Sequence, residues 1–141
     1  MSLALRQPAA PQPARAPLDR LRSLLPAIAA RAAALDVDGA FPEEDIAALA
    51  AEGLLRTPLP AGGDGSHGWG TAPAGAAPLS TALRLVGRAS LPLGRIYEGH
   101  VNAAKLVLQR GTAAQAQAAA RDLRATRGVA SAQLLANITT A

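Results

Sequence analysis

The sequence predicts an all-α fold of about five helices. Alanine makes up about a quarter of the 141 residues, and aromatic residues make up only 2%. Alanine is the best helix former because it loses no side-chain entropy, whereas strands favour the β-branched and aromatic residues that are scarce here. Apolar residues also recur at spacings of three and four, the period of an amphipathic helix. A chain of this length forms one domain.

The first predicted helix follows an N-terminal arm. Residues 1–17 are rich in proline and alanine and predict a disordered arm rather than a secretory signal, because they lack a continuous apolar segment. From Leu18 onward the apolar residues mark one helical face. Pro26 leaves two possibilities open: a helix that starts after a Ser23 cap, or one that runs from Leu18 with a kink. A turn is expected at residues 36–39.

Signals for a second helix lie between residues 41 and 53. Pro42 suits the first helical position, and the three acidic residues after it favour the positive end of the helix dipole. Gly53 is expected to end this helix in the left-handed conformation. The prolines and glycines of residues 57–78 follow no period and predict a long loop. Residues 63–68 spell G-x-G-x-x-G, but without a preceding strand or a following acid they do not indicate a nucleotide site.

Three more helices are predicted in the second half of the chain. The third spans about residues 78–88, and the fourth spans 92–110 and stops at Gly111. Thr112 is expected to cap an alanine-rich fifth helix that ends near Arg124. The fourth helix has the widest apolar surface, made of two adjacent stripes: Leu93, Ile96, His100, Ala103 and Val107, and Tyr97, Val101, Ala104 and Leu108.

Composition argues against several classes of function. There is no cysteine, so disulfides, thiol nucleophiles and thiolate metal sites are excluded. The net charge of +4 is spread over scattered arginines with only three aromatic residues, whereas binding to nucleic acid needs a basic patch and stacking aromatics. No apolar segment approaches the ~18 residues that span a bilayer. We therefore expect a cytoplasmic protein with neither a nucleic acid nor a membrane as partner.

Few residues are candidates for chemistry. His67 and His100 are the only histidines, too few for a metal site. His100 falls on an apolar stripe, where burial without a hydrogen-bond partner would cost ~1–3 kcal/mol. The favoured interpretation is a buried histidine bonded to a neighbouring helix, and the second is a residue lining a ligand pocket. Glu98 lies on the polar side as a solvated carboxylate, and Trp69 is expected to cover an edge of the core. No catalytic residue is assigned.

Two segments resemble the N-terminal all-helical domain of the acyl-CoA dehydrogenase family. Residues 41–65, FPEEDIAALAAEGLLRTPLPAGGDG, contain in order the Phe-Pro, Gly-Leu, Pro and Gly-Gly positions of that domain. The second segment, residues 100–112, HVNAAKLVLQRGT, is a predicted long helix that ends on Gly111 and Thr112, and with Gln115 these two residues match the G-T-x-x-Q motif of that domain. The resemblance covers about residues 18–124 and implies an orthogonal arrangement of the helices.

Members of this family are FAD-dependent oxidoreductases that hold acyl-CoA between three domains, and the helical domain supplies one wall of the acyl pocket. By position, the resemblance places Tyr97 and His100 at this wall. FAD is held mostly by the middle and C-terminal domains of the family, and the C-terminal domain carries the catalytic glutamate. The resemblance therefore implies that residues 18–125 form the helical domain and bind no FAD alone.

Residues 126–141 diverge from the family, because VASAQLLANITTA stands where the middle β-domain should begin. Three explanations remain open: a truncated or out-of-frame gene product, an excerpt of a longer protein, or a small relative that has lost the chemistry. The expected partners are the missing flavoprotein domains or a second copy of the chain. We expect the wide apolar surface of the fourth helix to be partly exposed, which would favour self-association.

The alternative belongs to a different class of function. A stand-alone helical interaction module without flavin is also consistent with the sequence, because core packing accounts for every periodic segment.

Overall fold

The computed structural model describes residues 15–62 and 66–125, and this part of the chain is helical with no strand. Five helices follow in order: α1 (Pro17–Asp38), α2 (Glu43–Ala51), α3 (Ala76–Ala89), α4 (Leu91–Arg110) and α5 (Ala113–Ala125). Two short 3-10 turns, Leu54–Arg56 and Pro73–Gly75, lie between α2 and α3. The predicted all-α class with about five helices is confirmed. Most of the predicted arm and the whole predicted tail, 126–141, lie outside the described residues.

Helix α1 is longer than the sequence predicted. It begins at Pro17 and runs through Pro26, so the possibility of a later start after Ser23 is wrong. The turn predicted at residues 36–39 is also wrong in its first three positions, because the helix continues to Asp38. Gly39 ends it with a φ of 60°, a left-handed conformation that glycine adopts without strain. The glycine therefore determines where the helix stops.

Side-chain caps mark the starts of α4 and α5, and only the second of them was predicted. Ser90 caps α4, and its Oγ accepts a hydrogen bond from the Leu93 N–H at 3.3 Å. Thr112 and Gln115 cap α5 reciprocally: the Thr112 Oγ1 accepts from the Gln115 N–H at 3.3 Å, and the Gln115 Oε1 accepts from the Thr112 N–H at 2.9 Å. The predicted cap at Thr112 is thus confirmed. Helix α3 starts at Ala76, two residues before the predicted position.

Helix α4 is the element around which the others pack. It contacts α3, α5 and the Leu54–Arg56 turn, while α1 packs against α3 and α2. The main hydrophobic core joins α1, α2, α3 and α4, and its largest buried members include Leu21, Ile28, Leu49, Leu54, Leu93 and Tyr97. A smaller cluster of Leu59, Ala104 and Leu123 attaches α5 to α4.

The long loop between α2 and α3 is held by main-chain hydrogen bonds. The Thr57 carbonyl accepts from the N–H groups of His67 at 3.2 Å and Trp69 at 2.9 Å, and the Gly68 N–H donates to the Leu59 carbonyl at 2.7 Å. These bonds place the Trp69 side chain in the main core with 3% exposure, which confirms that it covers the core. Residues 63–65 of the glycine-rich string lie outside the described residues.

The two apolar stripes of α4 are largely covered within the chain: five of their nine residues are buried and the other four are half-buried, namely Ile96, Ala103, Val107 and Leu108. None of the nine stripe residues is exposed, because α3, α5 and the Leu54–Arg56 turn pack against them. The large apolar side chains that are exposed in the described part of the chain lie outside the stripes, one on α1, one between α1 and α2 and two on α4: Val37 (85%), Phe41 (47%), Leu91 (69%) and Leu106 (62%). Self-association through this surface of α4 stays a prediction.

Helices α3 and α4 approach each other closely at a pair of glycines. A Cβ atom added to Gly94 of α4 would lie 2.9 Å from the Cα atom of Gly87 of α3, closer than real Cβ contacts. The main chain of α3 leaves no room for a side chain there. Gly99, also on α4, has no such neighbour within 4 Å.

The two glycines of α4 should respond oppositely to alanine. We expect Gly94→Ala to lower the free energy of unfolding by about 1–3 kcal/mol, because the methyl group overpacks the contact with α3. Gly99→Ala should raise it by up to about 1 kcal/mol through helix propensity. Urea denaturation followed by circular dichroism measures both, and equal effects at the two sites would contradict the close approach.

Helices α1 and α2 are joined by an ion pair that involves a fully buried carboxylate. Asp45 is 0% exposed, and its Oδ1 accepts a hydrogen bond from the Nε of Arg31 at 2.9 Å. Arg31 also bonds the Glu44 Oε1 at 2.9 Å and keeps 30% of its side chain exposed. The sequence indicated only that Asp45 favours the positive end of the α2 helix dipole. Because Asp45 is buried, the guanidinium of Arg31 is the group that balances the negative charge of Asp45.

Removing the guanidinium of Arg31 should therefore destabilise the fold. We expect Arg31→Met to cost about 2–3 kcal/mol, somewhat less than a fully buried pair because Arg31 is partly solvated. Arg22 is the matched control, because its 3.0 Å pair with Asp19 is exposed on both sides. Arg22→Met should change the free energy of unfolding by less than about 1 kcal/mol. Similar losses in both variants, measured by urea denaturation, would contradict the assigned role of Asp45.

Candidate functional site

Tyr97 and His100 lie one helical turn apart on α4 and both contact the Leu54–Arg56 turn. The His100 Nε2 lies 2.7 Å from the Leu55 carbonyl oxygen, and the Tyr97 hydroxyl donates to the Leu54 carbonyl at 3.2 Å. A carbonyl oxygen only accepts, so the Nε2 of His100 carries the proton. The favoured prediction for His100, burial with a hydrogen bond to a neighbouring element, is confirmed.

The geometry of the turn explains why these carbonyl groups need side-chain donors. Gly53 takes a φ of 72° and leads the chain from α2 into a single 3-10 turn. A turn this short is followed by no further helix, so its carbonyl groups lack the usual main-chain partners. Thr57 also donates its hydroxyl to the Leu54 carbonyl at 2.8 Å. The hydroxyl groups of Thr57 and Tyr97 and the His100 Nε2 thus satisfy the two carbonyl groups, whereas the buried Nε of Arg56 in the same turn has no hydrogen-bond partner among the described residues.

Burial holds both aromatic side chains in their neutral forms. It lowers the pKa of His100 below its ordinary value, and the hydrogen bond to the Leu55 carbonyl opposes this effect only in part. Burial also raises the pKa of Tyr97 to about 12, against a smaller opposite effect of the hydrogen bond with Thr57. Neither group carries a charge near neutral pH. Loss of the proton on the His100 Nε2 would remove the hydrogen bond to the Leu55 carbonyl.

An apolar crevice opens between α2 and α4, beside these two side chains. Its lining consists of Ile46, Leu49, Leu55, Leu93, Ile96, Tyr97 and His100, and its accessible surface is apolar. The free volume is about 10 Å³, about the space of one water molecule. The structure therefore brings the two predicted pocket-wall residues to one crevice, which could be only one wall of a ligand site. Their role at an acyl pocket stays a prediction.

The other two candidate residues, His67 and Glu98, contact neighbouring side chains of the chain. His67 is half-buried, and its ring centroid lies 6.4 Å from that of Trp69 at a tilt of 44°. Glu98 pairs with Arg95 on the surface, as expected of a solvated carboxylate. Within residues 15–62 and 66–125 no three His, Cys, Asp or Glu side chains are grouped as a metal site would require. No helix of this same part is long and apolar enough to cross a bilayer.

Sequence reasoning identified the two side chains on α4 but not what they bind. Their partners are main-chain carbonyl groups, which any residue type at positions 54 and 55 would provide. The only signal was Gly53, since a left-handed stop followed by two leucines predicts that the chain folds back onto a core. No feature of the sequence predicted the hydrogen bond from the Thr57 hydroxyl to the Leu54 carbonyl.

The low pKa of His100 links stability to pH. In the unfolded chain His100 becomes protonated below a pKa of about 6.5, whereas in the folded chain its pKa is lower. Acid therefore favours the unfolded chain, and the free energy of unfolding falls as the pH drops from about 6.5 towards the pKa of the folded chain. His100→Gln keeps a donor for the Leu55 carbonyl and should lose this part of the acid sensitivity. Its stability near neutral pH should stay within about 1.5 kcal/mol of the original chain.

The measurement is the free energy of unfolding from urea denaturation at several pH values. His67→Gln is the matched control, because it removes the other histidine and leaves the His100 bond in place. It should keep the acid sensitivity. An unchanged pH dependence in His100→Gln would contradict the assigned burial and hydrogen bond.

No protein-family model matches this chain, and no curated protein or solved structure matches it either. The resemblance to acyl-CoA dehydrogenases rests on the residues of the chain itself.

Proposed function

We propose that this chain is the N-terminal helical domain of an acyl-CoA dehydrogenase-like, FAD-dependent oxidoreductase of the cytoplasm, in which it forms one apolar wall of the acyl pocket. One observation carries the proposal: the two segments that bear the resemblance meet in space. His100, at the start of the second segment, bonds the carbonyl of Leu55 in the first. The Gly-Leu motif at Gly53 supplies the turn that makes this contact possible.

The chemistry of the crevice supports a binding role and not a catalytic one. The polar atoms of Tyr97 and His100 are directed to the Leu54–Arg56 turn, and the crevice presents an apolar surface. An apolar wall suits the alkyl chain of an acyl group, since burial of each methylene contributes about 0.8 kcal/mol. Proton abstraction and hydride transfer would belong to other domains, and FAD would be bound there as well.

The second candidate function is a stand-alone helical interaction module without flavin. The coverage of α4 favours it: both apolar stripes of that helix are buried or half-buried by elements of this same chain. The more of this apolar surface the chain covers by itself, the less it needs covalently attached neighbours.

A ligand titration tests the proposed wall. Octanoyl-CoA added to the ¹⁵N-labelled protein should shift amide resonances of α2 and α4 around Ile46, Leu49 and Ile96, with a dissociation constant of about 1 mM or weaker because only one wall is present. Coenzyme A without the acyl chain should leave these resonances unchanged. Ile96→Glu places a charge at the crevice and should abolish the shifts.

Leu106→Glu is the matched control, because Leu106 lies on the same helix but is 62% exposed and outside the crevice. It should bind like the original chain, with circular dichroism confirming that both variants fold. Shifts that are absent, or equally lost in both variants, would contradict the acyl wall. The chain alone should also retain no FAD on gel filtration, and stoichiometric retention would contradict the assignment of flavin binding to other domains.

A further inference from the structure

The end of α1 and the start of α2 form a surface that we call the acidic end. Its residues are Asp36, Val37, Asp38, Phe41, Glu43 and Glu44. The segment 36–44 has four carboxylates and no basic residue, yet it exposes Val37 at 85% and Phe41 at 47%. Glu44 pairs with Arg31, whereas the other three carboxylates have no ion pair within the part of the chain that the structure describes. Exposed apolar side chains that are rimmed by polar groups can mark an interface when they form one patch, and Val37 and Phe41 lie within five residues of each other here.

Helix α3 presents a surface of opposite charge, which we call the basic groove. It consists of Thr81, Arg84, Leu85 and Arg88, spaced along one face of the helix. Both arginines are exposed and, among the described residues, neither has a carboxylate partner. Half-buried Leu85 lies between them. The sequence has no acidic residue between Gly65 and Tyr97, so nothing nearby along the chain neutralises this charge.

The size of the basic groove suits an aromatic ring. Its volume is about 180 Å³. Apolar cavities of about 150 Å³ in proteins accept a benzene molecule, so a phenyl ring fits in this space. Leu85 offers the ring an apolar contact, and the two guanidinium groups can bond carboxylates beside it.

We propose that the acidic end of one chain docks into the basic groove of a second copy of the chain. Phe41 enters the groove beside Leu85, and the free carboxylates around Phe41 face Arg84 and Arg88. The acidic end supplies negative charge and an exposed phenyl ring, and the basic groove supplies positive charge and an apolar contact at Leu85. An unrelated acidic partner would fill the groove but leave Val37 and Phe41 exposed, whereas a second copy covers both surfaces.

The symmetry of this contact determines the assembly. The two surfaces are different, so the interface is heterologous, and every added copy offers a free acidic end and a free groove. The copies therefore associate head to tail. The contact uses neither the crevice nor Tyr97 and His100, so it does not depend on the proposed flavoprotein function.

Charge reversal tests the contact by analytical ultracentrifugation over a concentration series at low salt. The original chain should show a mass that rises with concentration and falls with added salt, because salt screens the charges. Arg84→Glu with Arg88→Glu should weaken association at least about tenfold, since like charges then face each other. Asp36→Lys with Asp38→Lys should do the same. Mixing the two variants should restore association, because each offers a surface complementary to the other.

The matched control is Arg110→Glu with Arg121→Glu, which reverses two exposed arginines outside the groove and should leave association intact. Phe41→Ala should weaken association without changing its salt dependence. An original chain that stays monomeric at every concentration would overturn the proposal. So would a mixture that fails to restore association, or a control variant that dissociates as fully as the groove variant, with circular dichroism confirming the fold of each.

Discussion

The fold depends on the way α4 holds the turn that follows α2. Tyr97 and His100 donate to the carbonyl oxygens of Leu54 and Leu55, and all four side chains are buried. A buried carbonyl without a donor would cost about 1–3 kcal/mol, so the two bonds make the main-chain turn compatible with the core. This turn leads the chain into the long loop, where the Thr57 carbonyl accepts a hydrogen bond from the Trp69 N–H. One helix face thus organises residues some 40 positions earlier in the sequence.

The same network limits what the site can do. The Tyr97 hydroxyl and the His100 Nε2 are engaged within the chain, and burial keeps both side chains neutral. What remains at the crevice is an apolar surface that can contact a ligand or a neighbouring domain but has little capacity for proton transfer. Charge is concentrated elsewhere, at the end of α1 and on the outer face of α3. Packing, apolar contact and electrostatic recognition therefore occupy separate parts of a small domain.

Sequence reasoning was most successful where a local signal determines the structure. The helical class follows from alanine and periodicity, and Gly111 and Thr112 located the end of α4 and the start of α5 closely. It failed where the deciding contact is distant along the chain. The sequence indicated only a helix-dipole interaction for Asp45, because its pairing with Arg31 joins two helices, and the extent to which other elements cover the stripes of α4 has no local signal either. The partners of His100 are main-chain atoms, which carry no sequence signal.

The protonation state of His100 is the most direct measure of the central contact. Long-range ¹H–¹⁵N correlation spectra of the histidine rings at neutral pH report which nitrogen carries the proton. The account predicts a neutral His100 with its proton on Nε2, because that atom donates to the Leu55 carbonyl. A proton on Nδ1 alone, or a charged ring at neutral pH, would mean that the bond between α4 and the Leu54–Arg56 turn is not formed and would contradict the account.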